Sequence, residues 1–341
     1  MIAEKDLQHI AAHCRPVWEE LRGKTILVTG GTGFFGKWML ESFAYANETM
    51  ELNATLLVLS RDPDKFVAAH PQFGKACFRY VQGDITSFVV PDGPVDLIIH
   101  AATDMSGYGQ MQQATRLYDS IVDGTRRVLE LAKERGTASV LHTGSGAVYG
   151  VQPPEITHIA EDYKGAPDIY SAGAAYGEGK RVAELLANIF YHTHGVPSKI
   201  ARCFAFIGPY VPMDGSFAAG NFIKAAVEGK DIVIAGDGTP YRSYLYAADL
   251  AIWLWYILLR GENMRPYNVG SDEEVTIEEL ARLIAAQSAT GKTQVQVLTP
   301  RGNQPAQRYV PSVQRAKEEL NLTIHTNLAD AVKRTMEFYT V

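Results

Sequence analysis

The sequence predicts an α/β fold, in which an open parallel sheet is covered by helices on both faces and is followed by a smaller C-terminal lobe. In the first half of the chain, short and almost wholly apolar runs alternate with stretches of helical periodicity. Strands that are apolar on both faces are typical of parallel sheets buried between helix layers. After residue 205 the alternation ends, and proline, glycine and aromatic residues become frequent. This change in pattern predicts the second lobe.

The strands and helices follow one another in the order that such a sheet requires. Strands are predicted over residues 25–29, 56–59, 78–81, 95–101, 139–142 and 199–204, and long helices over about 36–46, 110–135 and 174–194. The residues before 24 form an amphipathic segment, which we interpret as a helix that covers the first domain. We assign residues 1–205 and about 244–270 to the first domain, and residues 206–243 and 271–341 to the smaller lobe.

Composition and charge describe an ordinary globular protein and exclude several classes of partner. Of the 341 residues, 46% are hydrophobic and 21% are charged, and the net charge is −6. An acidic chain is poorly suited to nucleic acid or to an anionic membrane surface. The N-terminal segment lacks the apolar region of a secretory signal, and Cys14, Cys77 and Cys203 have neither metal-ligand nor disulfide spacing. We therefore expect a cytoplasmic protein with reduced thiols and without a metal, nucleic-acid or membrane partner.

A glycine-rich loop joins the first strand to the first long helix. The run is TGGTGFFG at residues 29–36, in which Gly31, Gly33 and Gly36 fit the pattern G-x-G-x-x-G and Gly30 gives a second, wider spacing. Glycines permit a tight turn and let backbone N–H groups approach a pyrophosphate, while the helix N-terminus adds a favourable partial charge. Because the loop lies between a strand and a helix, it predicts a dinucleotide-binding site.

The residues that end the second strand decide which dinucleotide is expected. An acidic side chain there would bind the ribose 2′-hydroxyl of NAD, whereas arginine would accommodate the 2′-phosphate of NADP. Here Ser60 can donate a hydrogen bond to that phosphate and Arg61 can pair with it, while Asp62 comes one or two positions late for the NAD role. NADP(H) is therefore favoured and NAD(H) is the alternative. A solvated Arg–Asp pair at the start of a helix would explain the same residues.

Tyr176 and Lys180 are four residues apart in a predicted helix, so their side chains share a face. A free phenol has a pKa of about 10 and is a poor base at neutral pH, but a nearby ammonium stabilises the phenolate. Tyr176 could then move the proton of a substrate hydroxyl while hydride moves to or from a nicotinamide ring. Ser145 follows the fifth strand at the same sheet edge, where it could hydrogen-bond the reacting oxygen. An exposed Tyr–Lys pair and a turn serine are the structural alternatives.

These segments together resemble the extended short-chain dehydrogenases/reductases, and in particular their nucleotide-sugar epimerases, dehydratases and reductases. The resemblance rests on TGGTGFFG, GDI at 83–85, IIHAAT, SGAVYG and YGEGK, and it spans about residues 24–324. It implies a Rossmann-type NAD(P)-binding first domain, a nucleotide-sugar-binding second lobe, and Ser145, Tyr176 and Lys180 as the catalytic set. The cofactor contacts that it implies are Gly30, Thr32, Gly33, Phe34, Phe35, Gly36, Ser60, Arg61, Asp84, Ile85, Ala101, Ala102, Thr103, Tyr176 and Lys180.

Three residues of the second lobe support the expectation of a nucleotide-sugar substrate. Arg242 in GDGTPYRS, Asn221 in NFI and Arg301 in PRGN are similar to the family's contacts with the substrate diphosphate, and Ser145 would contact the sugar. Arginine suits this role because its planar fork makes paired hydrogen bonds to phosphate oxygens. The resemblance also implies a homodimer, formed through the helices near 110–135 and 174–194.

Departures from the family pattern reduce the number of reactions that we expect of this chain. Gly146 and Ala147 stand where the 4,6-dehydratases carry an Asp–Glu pair, and the decarboxylases usually have Glu at the position of Ala147. Ala205 replaces an asparagine that often contacts substrate, and Asp104 or Tyr108 could supply an additional acid or base. Without a paired acid and base, expelling water from the sugar lacks its obvious proton shuttle.

Two reactions remain after these departures. A 4-keto-sugar reductase takes hydride from NADPH, and a 4-epimerase oxidises C4 and then reduces the other face of the same sugar. Ser60 and Arg61 favour NADP and so the reductase, with the 4-epimerase as the alternative and the 4,6-dehydratase behind it. A non-catalytic nucleotide-binding sensor of the same fold is less favoured because Tyr176 and Lys180 are both present. A reductase of a non-sugar ketone would not need the candidate phosphate ligands.

Overall fold

The computed structural model describes residues 1–103, 109–171, 173–215, 217–289 and 291–340. Its strands, in chain order, are β1 (Thr25–Thr29), β2 (Thr55–Ser60), β3 (Phe78–Gln82), β4 (Leu97–His100), β5 (Ser139–Ser145), β6 (Ser198–Cys203), β7 (Phe206–Ile207), β8 (Ile232–Ile234), β9 (Tyr241–Ser243), β10 (Leu245–Tyr246), β11 (Pro266–Val269), β12 (Glu274–Thr276), β13 (Val295–Val297) and β14 (Arg308–Tyr309). Its α-helices are α1 (Glu4–His13), α2 (Arg15–Trp18), α3 (Phe34–Thr49), α4 (Pro63–Ala69), α5 (Ala114–Arg135), α6 (Ala174–His194), α7 (Ala218–Val227), α8 (Ala247–Arg260), α9 (Ile277–Ala286), α10 (Gln314–Leu320) and α11 (Leu328–Thr340). Among the described residues, no helix combines the length and the hydropathy needed to cross a bilayer.

Seven strands form one sheet in the order β11-β6-β5-β4-β1-β2-β3. The pairs β1–β2, β1–β4, β2–β3, β4–β5 and β5–β6 are all parallel. β2 and β3 are added on one side of β1, and β4, β5 and β6 on the other, so the strand order reverses between β1 and β4. Such a switch point leaves a crevice at the carboxyl ends of the strands, where open α/β sheets bind ligands. The predicted doubly wound, Rossmann-type α/β fold is confirmed.

The central strands are buried along nearly their whole length, as their apolar sequences predict. All residues of β4 and β5 are buried, and in β1 only Thr25 is partly exposed. β5 continues to Ser145, beyond the predicted end at residue 142, because its last three residues pair with the last three of β6. The polar residues Thr143, Gly144 and Ser145, which we expected to begin a loop, are therefore strand. They bring Ser145 to the carboxyl edge of the sheet.

Helices α5 and α6 pack side by side and end in the same way. α6 has the predicted bounds, and a short 3-10 turn, Met111–Gln113, precedes α5. Each helix is followed by a glycine in the left-handed conformation, Gly136 with φ 62° and Gly195 with φ 68°. Residues other than glycine rarely adopt this conformation, so these two positions end the helices before the chain enters β5 and β6.

The chain divides into two compact units. Unit 1 comprises Met1–Gly150, Gly165–Cys203 and Ala251–Tyr267, and unit 2 comprises Val151–Lys164, Phe204–Leu250 and Asn268–Val341. The division differs from the predicted one chiefly at 151–164, which the sequence places in the first domain, and also at the boundary segments 204–205, 244–250 and 268–270, which belong to unit 2. Residues 151–164 pair within unit 2, where Ile159 forms a β-bridge with Pro311 and the Gln152 Oε1 atom accepts a hydrogen bond from the Val310 N–H at 3.0 Å. Such long-range pairing leaves no local pattern in the sequence.

The N-terminal segment packs into unit 1 as the predicted cover. Cys14, Val17, Trp18 and Leu21 are fully buried. The rings of Trp18 and of Trp255 in α8 have centroids 4.9 Å apart, and α1 contacts α3, the helix that follows the glycine loop. Because burial of apolar surface is the main stabilising term in folding, this segment is part of the core of unit 1.

Replacing Trp18 with alanine tests this interpretation. We expect the free energy of unfolding to fall by about 3–5 kcal/mol, because the large buried ring would leave a cavity between the cover and α8. Urea denaturation measures the change. Val89 is 73% exposed in the same unit, so we expect the control Val89→Ala to change the free energy by no more than about 0.5 kcal/mol. An equally small change for both variants would show that the cover contributes little to the core.

Candidate active site

The glycine loop between β1 and α3 is shaped by close backbone contacts. Gly30 has φ 73°, and a Cβ atom there would lie 2.6 Å from the carbonyl carbon of Ala101. A Cβ atom at Gly36 would clash with the backbone of Gly30 and Gly31. Gly33 is exposed, and a Cβ atom there would meet, among the described residues, only the Gly30 oxygen at 3.4 Å. The loop therefore needs Gly30 and Gly36 for its own fold, whereas Gly33 leaves space.

The first turn of α3 offers hydrogen-bond donors beside that space. Gly33 is the N-cap residue, and since it has no side chain the first N–H groups of the helix receive no side-chain cap. Thr32 is half-buried in the loop, and the rings of Phe34 and Phe35 have centroids 5.7 Å apart in the first turn. Uncapped N–H groups at a helix start, together with the helix dipole, bind phosphate groups. The residues present therefore fit the pyrophosphate of a dinucleotide.

β2 ends at Ser60, and the next two residues lead into α4. Asp62 is the N-cap of α4, where its Oδ1 atom accepts a hydrogen bond from the Lys65 N–H at 3.0 Å. The Asp62 N–H donates to Ser60 Oγ at 3.2 Å, and Arg61 is exposed. Capping accounts for Asp62 without any contact to a ribose. Arg61 is the side chain here whose charge suits a 2′-phosphate.

Asp84 and Ile85 follow β3. The Asp84 Oδ1 atom accepts hydrogen bonds from the N–H and the hydroxyl of Thr86, at 3.0 and 2.8 Å. These bonds, and to a smaller extent the positive charge of Arg61, lower the pKa of Asp84 below its usual range. The carboxylate is therefore ionised at neutral pH. Ile85 packs against Gly124 of α5.

The side chain of Lys180 is buried in unit 1, and its ammonium group donates two hydrogen bonds. Its Nζ atom donates to the carbonyl oxygen of Thr143 at 2.7 Å and to Thr103 Oγ1 at 3.0 Å. It also lies 5.9 Å from the centroid of the Tyr176 ring. Burial lowers the pKa of Lys180 to about 8, so the group is mostly charged at neutral pH. The structure thus brings Tyr176 and Lys180 together and adds Thr103, which the sequence assigned to the cofactor alone.

Ser145 occupies the end of β5, two residues after Thr143, and is buried. Its Oγ atom accepts a hydrogen bond from the Ala147 N–H at 3.1 Å and so caps the 3-10 turn Gly146–Tyr149. That bond uses the oxygen as an acceptor, and the hydroxyl proton can still be donated. Tyr176 is half-buried at the start of α6, against an apolar cluster of α5 and α6. Both side chains belong to the carboxyl-edge side of unit 1.

The two glycines inside YGEGK are explained by close packing within unit 1. A Cβ atom at Gly177 would lie 2.6 Å from Pro167 Cγ and 3.0 Å from the carbonyl oxygen of Ala147. A Cβ atom at Gly179 would lie 3.3 Å from Ile121 of α5. Gly177 therefore lets the first turn of α6 lie against the turn that follows β5, and Gly179 lets α6 approach α5. The contact at Gly177 fixes the start of α6, which carries the tyrosine, beside the end of β5, which carries the serine.

A half-buried ion pair, which the sequence motifs did not indicate, lies on the same face of α6 as Lys180. Glu184, one turn after Lys180, accepts two hydrogen bonds from Arg202 of β6, from Nε at 3.0 Å and from Nη2 at 2.7 Å. Arg202 also donates to the hydroxyl of Tyr149 at 2.9 Å. The ion pair fixes α6 to β6 beyond Lys180. The spacing of Lys180 and Glu184, which puts both on one helix face, was the signal that could have revealed it.

In unit 2, the strands β12, β9 and β14 form a sheet in that order, and Arg242 lies on the middle strand. Its guanidinium lies 6.0 Å from the centroid of the Tyr309 ring and donates to the carbonyl oxygen of Tyr241 at 2.7 Å. Arg308 of β14, which sequence analysis missed, lies 4.1 Å from the centroid of the Tyr241 ring and pairs with Glu274. The sequence signal that could have indicated Arg308 is the pair of mirrored dipeptides, Tyr-Arg in β9 and Arg-Tyr in β14.

The other predicted substrate-binding residues are exposed and have protein partners. Asn221 donates from Nδ2 to a backbone carbonyl of the loop before α7 at 2.9 Å, and Arg301, which is 71% exposed, pairs with Glu278 at 2.9 Å. Exposed contacts of this kind contribute little to stability, so a ligand could replace them at small cost. Asp104 and Tyr108, suggested as additional acid or base, lie outside the described residues.

Comparison with known sequences relates this arrangement to one family. A sequence model described as the NAD dependent epimerase/dehydratase family matches residues 26–270. The chain is 31% identical to UDP-glucuronic acid decarboxylase 6 of Arabidopsis thaliana over 297 residues, which cover 86% of this chain and 82% of the relative. It is 29% identical to UDP-glucuronic acid decarboxylase 1 of Danio rerio over 317 residues, which cover 93% of this chain and 72% of the relative.

Solved structures share the fold over almost the whole chain. UDP-glucose 4-epimerase of Thermotoga maritima, solved with UDP-glucose, superposes with a TM-score of 0.77 at 20% identity and covers 92% of this chain and 98% of its own. dTDP-glucose 4,6-dehydratase of Bacillus anthracis, solved in complex with NAD, superposes with a TM-score of 0.74 at 22% identity and covers 93% and 96%. At this identity the comparison shows a common fold, and the chemistry has to be argued from the side chains of this chain.

The space at Gly33 generates a prediction about dinucleotide binding. We expect Gly33→Ala to fold, because the added methyl group meets one atom at ordinary contact distance. The methyl group would stand among the N–H donors and weaken binding of the dinucleotide about tenfold, which corresponds to about 1.4 kcal/mol. Gly36→Ala would instead lower the free energy of unfolding by about 1–3 kcal/mol, because its methyl group overlaps the loop backbone. Fluorescence titration measures the affinity for the dinucleotide, and thermal melting measures stability. Wild-type affinity in Gly33→Ala would contradict the assignment of this loop to the dinucleotide-binding site.

Proposed function

Since the chain belongs to the NAD dependent epimerase/dehydratase family, within the extended short-chain dehydrogenases/reductases, we propose that it is a nucleotide-sugar 4-epimerase. Its substrate would be a nucleoside-diphosphate sugar with a hydroxyl group at C4, and it would interconvert the two configurations of that carbon. One observation carries the proposal. Ser145, Tyr176 and Lys180 are all present, whereas the two residues that follow the serine are Gly146 and Ala147.

Epimerisation requires fewer side chains than the related reactions. Moving hydride off C4 and back onto its other face needs one group that takes the hydroxyl proton and later returns it. Expelling water needs a further acid and base, and Gly146 and Ala147 supply neither. The decarboxylases that this chain is similar to belong to a group that usually has Glu at the position of Ala147. These two positions therefore favour the 4-epimerase over the 4,6-dehydratase and the decarboxylase.

The choice between the 4-epimerase and the 4-keto-sugar reductase depends on which cofactor this chain binds. The sequence favours NADP(H), and so the reductase, because Ser60 and Arg61 suit a 2′-phosphate. The family whose sequence model matches this chain, however, is described as NAD dependent. The dTDP-glucose 4,6-dehydratase of Bacillus anthracis, which shares the fold of this chain, was solved in complex with NAD. We therefore propose NAD(H) as the cofactor, with NADP(H) as the alternative.

The residues of unit 1 can carry the proton steps of epimerisation. Tyr176, as the phenolate, would accept the proton of the C4 hydroxyl as hydride leaves C4, and would return it once the sugar has turned. The ammonium of Lys180, fixed by Thr103 and Thr143, would stabilise that phenolate and is charged at neutral pH. Ser145 would donate a hydrogen bond to the C4 oxygen while its charge changes. When bound, the dinucleotide would supply the hydride acceptor and the hydride donor.

Unit 2 is proposed as the nucleotide-sugar-binding lobe, with Arg242 as the principal diphosphate ligand. Arg242 is half-buried on the middle strand of its sheet and lies against the Tyr309 ring, so its guanidinium loses little freedom when it binds an anion. Asn221 and Arg301 would assist by exchanging their exposed protein contacts for phosphate oxygens. Unit 1 would correspondingly be the NAD(H)-binding domain.

We also propose a homodimer formed through α5 and α6. Leu185 and Ile189, four residues apart on α6, are 55% and 44% exposed, while Ala183, Leu186 and Phe190 of the same helix are buried. An exposed apolar stripe along one of two long, neighbouring helices fits a four-helix bundle with a second copy of the chain.

A cytoplasmic location is proposed from the state of the cysteines. Cys14 and Cys203 are buried, Cys77 is half-buried, and all three are free thiols. Free, mostly buried thiols suit a reducing compartment.

The cofactor content of the purified protein is the first test of the proposed reaction. After denaturation, mass spectrometry should identify NAD in nearly stoichiometric amount, because an epimerase regenerates its cofactor in every turnover. Incubation with UDP-glucose or UDP-glucuronic acid, without added cofactor, should then give the C4 epimer by NMR. An empty protein that reduces 4-keto nucleotide sugars with NADPH would instead support the reductase, and nucleotide binding without turnover would support the sensor.

Two variants assign the proposed roles in the same assay. Tyr176→Phe should keep its cofactor and its melting temperature but lose turnover by about 10²–10⁴-fold, because it removes the group that moves the proton. Arg242→Met should raise KM for the nucleotide sugar and leave the cofactor content unchanged, because it removes a diphosphate ligand from unit 2. Undiminished turnover in Tyr176→Phe would exclude the mechanism.

The mass of the protein in solution tests the proposed dimer. We expect light scattering to give a dimer for the wild type and a monomer for the double variant Leu185→Glu, Ile189→Glu, since two carboxylates would be unpaired in an apolar interface. Leu298, which is 62% exposed in unit 2, supplies the control, and Leu298→Glu should remain a dimer. A wild-type monomer would contradict the interface.

A further inference from the structure

His100, the last residue of β4, is buried, and both of its ring nitrogens have hydrogen-bond partners. Its Nδ1 atom lies 2.8 Å from the hydroxyl oxygen of Thr29 at the end of β1. Its Nε2 atom lies 3.1 Å from the hydroxyl oxygen of Thr125 on α5. The ring therefore connects two elements on either side of β4, directly before the segment 101–103.

The partners of the two threonines fix which ring nitrogen carries the proton. The Thr125 hydroxyl donates its proton to the carbonyl oxygen of Ile121 at 2.7 Å. Its oxygen must therefore accept from His100, which places the ring proton on Nε2. Nδ1 is then an acceptor, and the Thr29 hydroxyl donates to it. Burial lowers the pKa of His100 well below its usual range, and the nearby His142 and Lys180 act in the same direction, so the ring remains neutral.

The Thr29 hydroxyl, oriented in this way, acts on the segment after β4. Because its proton points to His100, its oxygen accepts a hydrogen bond from the Ala102 N–H at 3.2 Å. The carbonyl oxygen of the same Ala102 accepts from the Thr103 hydroxyl at 2.8 Å, and Thr103 Oγ1 in turn accepts from Lys180 Nζ at 3.0 Å. Consecutive hydrogen bonds thus lead from the imidazole to the ammonium.

We propose that His100 is a positioning residue that orients the Thr29 hydroxyl, fixes the segment 101–103 through Ala102, and so holds the Thr103 hydroxyl where it accepts from Lys180. The proposal rests on the proposed function, in which Lys180 supports the proton transfer of Tyr176. It also concerns the segment 101–103, which the resemblance assigns to the cofactor contacts.

A neighbouring histidine provides a matched control. His142 of β5 is also buried, and the centroid of its ring lies 5.9 Å from that of His100. Its Nε2 atom lies 3.3 Å from Ser198 Oγ, and its Nδ1 atom has no hydrogen-bond partner among the described residues. Among the described residues, the ring nitrogens of His142 therefore make no hydrogen bond to the segment 101–103, although the ring lies beside that of His100 in the core.

Four variants test whether His100 orients the Thr29 hydroxyl or only fills space in the core. Asparagine can place its oxygen near the position of Nδ1, so His100→Asn retains an acceptor for Thr29. Glutamine places its amide near the position of Nε2, so His100→Gln retains the donor to Thr125 and loses that acceptor. Thr29→Val removes the hydroxyl itself, and His142→Gln is the control. Melting temperatures identify the variants that fold.

Hydrogen exchange at Ala102, followed by mass spectrometry of peptides from 100–103, measures positioning without any turnover. We expect exchange of the Ala102 amide to become about 10-fold faster in His100→Gln and Thr29→Val, because the N–H loses an oriented acceptor. His100→Asn and His142→Gln should exchange like the wild type. In the epimerase assay, kcat should fall in His100→Gln and in Thr29→Val, while KM for the nucleotide sugar stays unchanged.

The outcomes distinguish this proposal from the proposed function. Wild-type exchange in His100→Gln, or equal effects in His100→Asn and His100→Gln, would overturn the positioning role whatever the reaction is. A ring proton on Nδ1, seen in the ¹⁵N spectrum of the histidine-labelled protein, would overturn it too. If hydrogen exchange follows the expected pattern but the protein has no epimerase activity, the positioning role is supported and the proposed function is contradicted.

Discussion

A buried ammonium group is the constraint on which the rest of the site depends. Lys180 can keep its charge inside unit 1 because a carbonyl and a hydroxyl accept its hydrogen bonds, and without such partners a buried ion costs several kcal/mol (about 20 kcal/mol in the ideal dry limit). The acceptors come from β5 and from the segment after β4, and the lysine comes from α6. One side chain thus joins three elements at the carboxyl edge of the sheet, beside the ring of Tyr176.

Besides the buried charge, the site requires that backbone segments of unit 1 approach one another closely. Gly30 lies against Ala101, and Gly177 lies against the turn that follows Ser145. Larger side chains at either glycine would push away the segments that carry the partners of the lysine and the serine. The glycines of the phosphate loop and of YGEGK therefore belong to one requirement, which is that separate segments of unit 1 reach the sheet edge without side chains between them.

The sequence predicts what depends on local pattern and misses what depends on distant partners. β1 and β4 were recognisable because burial on both faces requires continuous apolar residues, and α6 because its apolar spacing and terminal glycine are local. The strand character of Thr143–Ser145 depends on pairing with β6, and the membership of 151–164 in unit 2 depends on residues near 310. In the site, the spacing of Tyr176 and Lys180 is readable, but the carbonyl that binds the lysine is a backbone atom. The protonated nitrogen of His100 is set by Thr125, whose own bond to Ile121 becomes visible only in the fold.

The use of Asp62 as a helix cap restricts how the cofactor preference of this chain can be altered by evolution or in the laboratory. Its carboxylate caps the start of α4, so loss of that side chain would destabilise the helix by about 0.5–2 kcal/mol. Ser60 and Arg61 lie just before the capped turn, and the side chain of Arg61 is exposed. Mutational libraries that keep a capping residue at 62 and the buried Ser60, and that vary the exposed Arg61, would explore nucleotide preference without also removing the helix cap.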